Sequence, residues 1–225
     1  MKCTYPVRLI GFFMFLLITT TVQAAVLDTI QAQTFDKSSD NYEPNIDAYK
    51  NSELWGDWSM PIGDPKASSV LNPAGDITYG VKNIEDYDLN TAWVGKKGIG
   101  DYLEFTFNFP ENTAYAGAYQ FYGICNVFNG YCKSLKIWQA NSRVKLLKVY
   151  YNNTPICYVL LKNTWQFQFF DIGKYFINRR DHKYMNAPYE IKEGDVLKFE
   201  IVSVYKGSKY KDVAISEFLC EGAGN

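Results

Sequence analysis

The sequence predicts an all-β protein, an antiparallel β-sandwich or jelly roll. Three observations lead there. Short segments rich in β-branched and aromatic residues recur from about Ala67 to Glu221, and Asn, Gly or Asp bounds each of them. One segment, "DYLEFTFNF", alternates strictly, with Leu103, Phe105, Phe107 and Phe109 on one face and Tyr102, Glu104, Thr106 and Asn108 on the other. Neither a helix of three turns nor an internal repeat interrupts the pattern. Six to nine short strands in about 155 residues suit a two-sheet sandwich.

The elements follow in order. Residues 1–24 read as a signal peptide: Lys2 and Arg8 precede the apolar run "LIGFFMFLLITTTV", and "VQAA" offers small residues for cleavage after Ala24. That run is shorter than the ~20 residues a membrane-spanning helix needs. The chain is therefore expected to be secreted or periplasmic, without stable membrane insertion. Residues 25–66 are polar and aperiodic and contain Pro44, Pro61 and Pro65, so they read as a linker or docking arm. Trp55 and Trp58 favour docking, because solvated linkers rarely carry two indoles.

The domain is placed at 67–223. Beyond "DYLEFTFNF", the strand candidates are "VKLLKVYY", "ICYVLL", "WQFQFFDI", "VLKFEIVSVY" and "VAISEFLC". "VYYNNTPICYVL" predicts a hairpin through Asn152 and Asn153, and "KEGD" at 192–195 predicts a second turn. Trp93 is expected in the core. Gly95, Gly98 and Gly100 are expected to form the turn before the strand that begins at Tyr102.

Charge and motif content narrow the function. The formal net charge is −1, and losing Lys2 and Arg8 with the leader takes it to −3, so nothing general attracts nucleic acid. The single histidine, His182, lies in the polar stretch "NRRDHKY" and reads as a solvated loop residue. HExxH, GxSxG, Walker and GxGxxG patterns are absent. The chain is thus read as a non-enzyme. A pair of carboxylates for glycoside hydrolysis stays open, since two acids can converge in space, and Glu104 is the first suspect.

Four cysteines remain after the leader: Cys125, Cys132, Cys157 and Cys220. An even count in an exported chain suggests two disulfides, with Cys125–Cys132 and Cys157–Cys220 the favoured pairs and reduced, buried thiols the alternative. Asp86, Asp88 and Thr91 supply hard oxygen ligands within six residues, a pattern that suits Ca²⁺ and equally an Asx-turn.

A resemblance to a known family narrows the sandwich to the galactose-binding-domain-like kind. "NIEDYDLNTAWV" is similar to the opening loop of the discoidin-like family, the coagulation factor V/VIII type C domains and their carbohydrate-binding relatives. Four ordered segments resemble more specifically the translocation-domain subfamily of NAD glycohydrolase toxins: "ASSVL", "TAWVGKKGIGDYLEF", "NGYCKS" with "NSRVK", and "VYKGSKYKDVAISEF". The resemblance implies a structural calcium site of Asp86, Asp88 and Thr91, joined by Glu217 from the last strand. Tyr87 and Gly95 depart from the pattern, standing where glycine and glutamate are usual.

The resemblance also implies recognition through loops at one end of the sandwich. Sugar binding asks for exposed aromatic faces with polar neighbours, and the candidates are Phe128, Asn129, Tyr131, Trp138, Asn141 and Arg143. The alternative for Asn141 and Arg143 is a buried polar network. Two functions follow: a module that binds a carbohydrate or cell-surface ligand, and a delivery domain that binds a protein partner, with the tryptophan arm as its contact.

Overall fold

The computed structural model describes residues 26–34, 44, 59–61, 63–108, 120–177 and 182–223. The expected signal peptide, residues 1–24, and the Trp55/Trp58 stretch lie outside the described residues.

Among the described residues the chain forms β1 (Asp28–Gln31), β2 (Gln33–Thr34), β3 (Ser59–Pro61), β4 (Asp64–Ala67), β5 (Trp93–Gly95) and β6 (Tyr102–Thr106). It continues with β7 (Gln120–Asn129), a short helix Leu135–Ala140, β8 (Arg143–Tyr151), β9 (Thr154–Leu160), β10 (Gln168–Asp171), β11 (Val196–Tyr205) and β12 (Val213–Ala223). One sheet runs β1-β9-β8-β11-β6-β4; the other runs β2-β10-β7-β12-β3, with β5 also paired to β12. All pairs are antiparallel except β1 with β9. This is a β-sandwich, as the sequence predicts.

The expected alternation holds on β6, where Leu103 and Phe105 are buried and Tyr102, Glu104 and Thr106 are half-buried. Phe105, Phe199, Phe170 and Phe218 meet across the sheets with ring centroids 4.8–6.1 Å apart, a spacing that favours edge and offset contacts. Trp93 is fully buried in this core, and its indole Nε1 donates to the Ser69 carbonyl at 2.9 Å. The β8–β9 hairpin turns at Asn152 and Asn153 with φ of 45° and 66°, left-handed conformations that asparagine tolerates. The "KEGD" turn closes with Asp195 N donating to Lys192 O at 3.1 Å.

Two elements differ from the sequence expectation. The stretch read as linker or arm supplies strands: β1 and β4 end the first sheet, and β2 and β3 sit at the ends of the second. Edge strands lack a neighbour on one side and tolerate polar, proline-containing sequence, so their composition resembles a loop. The second difference is β7, which carries Phe128 and Asn129 in the middle of its sheet rather than in a loop at the end of the sandwich.

The second sheet is covered on both sides near one end. Behind its outer face, Phe128, Cys132, Trp138, Trp165 and Leu219 form one cluster. Ala92, Val94, Tyr131 and Ala214 form another. This explains why "VAISEFLC" is buried throughout instead of alternating. No helix among the described residues is long and apolar enough to cross a membrane.

Candidate functional site

The covered end gathers four segments: the 86–91 loop, the 96–101 loop, the 130–142 segment with its helix, and the 206–212 loop. Hydrogen bonds tie the 86–91 loop, the 130–142 segment and the 206–212 loop to one another and to β12, and tie the 96–101 loop to Ser68, Ser69 and Ile201.

The 86–91 loop is closed largely by its own side chains. Asp86 accepts from Asp88 N at 2.9 Å and from Thr91 Oγ1 at 2.7 Å, while Asp88 accepts from Asn90 N at 2.9 Å. Tyr87 takes the left-handed conformation expected of a glycine there, with φ 58°. Its ring packs beside the Phe128–Leu219 cluster, which offsets a backbone cost of about 1–2 kcal/mol. Ser216 Oγ donates to Thr91 O at 3.0 Å and so fixes the loop to β12 one residue before Glu217, which is buried. The donor chemistry of Asp86, Asp88, Thr91 and Glu217 suits calcium, and the loop adjoins the right strand. Yet among the described residues no three His, Cys, Asp or Glu side chains gather into a metal-holding group.

The six ligand candidates come together, but as a buried brace. Each is less than one-tenth exposed, and Asn129 is fully buried, so none offers the open stacking face that sugar binding requires. Asn129 pairs with β8 through both amide ends: Nδ2 donates to Val144 O at 2.7 Å, and Oδ1 accepts from Val144 N at 3.0 Å. Trp138 Nε1 donates to Asn129 O at 2.8 Å. Arg143 lies over the Trp138 ring at 4.2 Å and donates to the carbonyls of Trp138 and Asn141 and to Asn163 Oδ1, at 2.8–3.1 Å. Burial pulls its pKa below the usual value, and these bonds satisfy the charge. Tyr131 donates to Asn90 O at 2.9 Å, linking the brace to the 86–91 loop. The expected exposed platform is corrected to a polar network because β7 and the helix pack the aromatic residues beneath the loops.

Two hubs that sequence reasoning missed hold the outer loops. Asp101 is buried and accepts from Ser68 Oγ, Ser69 Oγ, Lys97 N and Gly98 N at 2.7–2.9 Å. Burial pushes its pKa up, but the four bonds outweigh that and leave it below the ordinary carboxylate value. Ser142 donates to Tyr210 O at 2.9 Å and accepts from Gly207 N at 3.1 Å. Ser208 N donates to Gln139 O, and Lys209 N and Tyr210 N to Ala140 O, all at 2.8–3.1 Å, so the 206–212 loop is seated on the helix C-terminus. A one-letter aspartate or serine carries no mark of such convergence; only the glycines around them hinted at tight turns.

The cysteine pairs are also corrected. All four cysteines are buried thiols in this structure. Cys125 lies opposite Cys220 on the neighbouring strand, with Sγ atoms 3.5 Å apart. Cys132 instead sits beyond the end of β7, where its backbone N–H donates to Ser216 Oγ at 3.0 Å, and an extended strand separates it from Cys125. Cys157 belongs to the other sheet, on β9.

Two suspects from the sequence remain, His182 and Glu104. His182 is exposed. Glu104 faces Lys66 on β4 and Lys198 on β11 in the ladder, so lysines, not a second carboxylate, flank it.

Comparison with known proteins adds the following. The family model described as NAD glycohydrolase translocation F5/8 type C domain matches residues 59–221. No curated protein matches the sequence at a significant level. Among solved structures, the CBM32-1 and CBM32-2 domains of Clostridium perfringens ZmpB in complex with GalNAc align with a TM-score of 0.52 at 10% identity, covering 91% of this chain and 42% of that one. A second structure of the same two domains gives 0.52 and 10%, covering 91% and 43%. This chain thus spans less than half the length of those structures, and the likeness establishes a shared discoidin-like fold.

Proposed function

The chain belongs to the NAD glycohydrolase translocation F5/8 type C domain family, and from that premise we propose that it is an exported, non-catalytic binding module. It recognises a carbohydrate or other cell-surface ligand through the loops at the braced end of the sandwich. The observation that carries this reading is the bracing itself. Asp101, Ser142 and the Trp138–Arg143 pair fix three outer segments from beneath with buried and half-buried hydrogen bonds. Loops fixed before the ligand arrives lose less conformational entropy on binding. The GalNAc complex of the structurally similar CBM32 pair supports a sugar as the first ligand class to try.

Calcium enters as a structural ion. Asp86, Asp88, Thr91 and Glu217 would supply its oxygens, and its work would be to tie the 86–91 loop to the strand that carries Glu217. The second reading, a delivery domain for a protein partner, rests on the family's association with translocation.

The test is a glycan-array screen of the mature protein, run with calcium and again with chelator. Reproducible sugar hits support the module, and their loss with chelator adds the ion. A blank from folded protein transfers the reading to a protein partner, and Trp55→Ala combined with Trp58→Ala, which leaves the edge strands β1 to β3 in place, is then expected to weaken partner capture.

A further inference from the structure

The two outermost braced loops carry the same chemistry. The 96–101 loop presents Lys96, Lys97 and Ile99, and the 206–212 loop presents Lys206, Lys209, Tyr210 and Lys211, all exposed. The loops adjoin: a Cβ built on Gly98 would lie 3.6 Å from Lys211 O and 3.4 Å from Val213 Cγ2. Their acids are withdrawn, since Asp101 is buried and hydrogen-bonded inward and Asp212 is half-buried. The ion pairs among the described residues are Lys82 with Asp64 and Glu85, and Lys174 with Asp28, so none of the five lysines is paired with a described carboxylate.

This concentration is local. The whole chain carries a formal charge of −1, so five lysines with no carboxylate partner among the described residues, on two touching loops, are not a reflection of a basic protein. Nor are the loops loose, solvated tips. Asp101 fixes the first through Lys97 N and Gly98 N, and the helix carbonyls fix the second through Lys209 N and Tyr210 N. The lysine stems therefore leave from fixed points on the surface.

We infer that this surface is the ligand-binding site and that its ligand is an acidic glycan, a polysaccharide bearing sulfate or carboxylate groups. The assignment rests on the binding-module reading and names the ligand class for it. Lysine ammonium groups are point charges that follow anions spaced along a flexible chain. Tyr210, 42% exposed, adds a ring face and a hydroxyl for the sugar between the anions. A lipid surface fits less well. Ile99 is the one strongly exposed aliphatic side chain on the two loops, and it buries less apolar surface than a single acyl chain, which itself anchors only marginally.

The experiment measures binding of the mature protein to heparin-type sulfated glycan, to its desulfated counterpart, to neutral galactosyl glycans and to phosphatidylserine vesicles. The variant is Lys96→Gln, Lys97→Gln, Lys209→Gln and Lys211→Gln combined; Lys192→Gln, in the "KEGD" turn, is the control. The sulfated glycan is expected to bind, and its affinity to fall at least about tenfold between about 50 and 200 mM salt as bound counterions are released. The combined variant is expected to lose at least about tenfold at an unchanged Tm, with the control unaffected. Equal binding by variant and wild type overturns the inference, as does binding to vesicles alone. Neutral-glycan binding that the variant retains overturns the inference while leaving the binding module standing. Absence of binding to every glycan overturns both.

Discussion

Single residues decide how firmly the loop end is held. Asp101 is the most consequential, because one buried carboxylate organises four donors. Hydrogen bonds to a charged group contribute about 1.5–3 kcal/mol each in favourable cases, so Asp101→Asn is expected to cost about 2–4 kcal/mol. The pH dependence has a definite sign. Asp101's folded pKa lies below its ordinary value, so its stabilisation is complete above the ordinary carboxylate range and disappears as pH falls through that range to the folded pKa. The Tm gap between wild type and Asp101→Asn should accordingly be widest at neutral pH and close on acidification; a gap that stays constant contradicts the charge-based role. Cysteine gives a second prediction. The Cys125–Cys220 juxtaposition across neighbouring strands lies within reach of a disulfide, whereas Cys132 and Cys157 are buried thiols whose ionisation burial suppresses, Cys157 up to about 12. Refolding with oxidised glutathione should yield one linked peptide pair, 125 with 220, in a non-reducing peptide map. Linkage of Cys125 to Cys132 would contradict this arrangement.

Among the elements, the 206–212 loop depends on a glycine for its seat. A Cβ on Gly207 would lie 2.4 Å from both Ala140 O and Asn141 C, so Gly207→Ala must lift the loop from the helix. We expect that variant to stay folded, lower Tm by a few degrees and weaken ligand binding at least about fivefold, since a shift of about 1.4 kcal/mol is already tenfold in an equilibrium constant. Titration of the purified variant against the best array ligand checks this, and unchanged affinity would remove the loop from the site. The same elements explain what the sequence disclosed. The regular strands were legible because Leu103 and Phe105 alternate with polar neighbours, and the β8–β9 hairpin because Asn152 and Asn153 suit left-handed turns. β7 was not, since a strand buried on both faces around Cys125, Val127 and Phe128 loses its period-two signature. The edge strands were hidden for the opposite reason, being too polar to look like sheet. The candidate ligand set was legible as a cluster but not as a brace: Asn129, Trp138 and Arg143 do converge, and only packing shows that their polar groups turn inward.

At the scale of the whole molecule, the sandwich separates its two ends. One carries the hairpin turn at Asn152–Asn153 and the "KEGD" turn, joined where Asn152 Nδ2 donates to Asp195 Oδ1 at 2.7 Å. The other carries the braced loops, the five lysines and the candidate calcium loop. The family model spans both sheets, and the fold shared with the CBM32 domains does not by itself name a ligand. The central claim is that ligand contact is confined to the braced end. Amide chemical-shift mapping of the mature protein during titration with its best glycan tests that claim most directly. The account predicts perturbations at 96–101 and 206–212, with residues 152–154 and 192–195 silent. Perturbations centred on those hairpin and "KEGD" turns would contradict it.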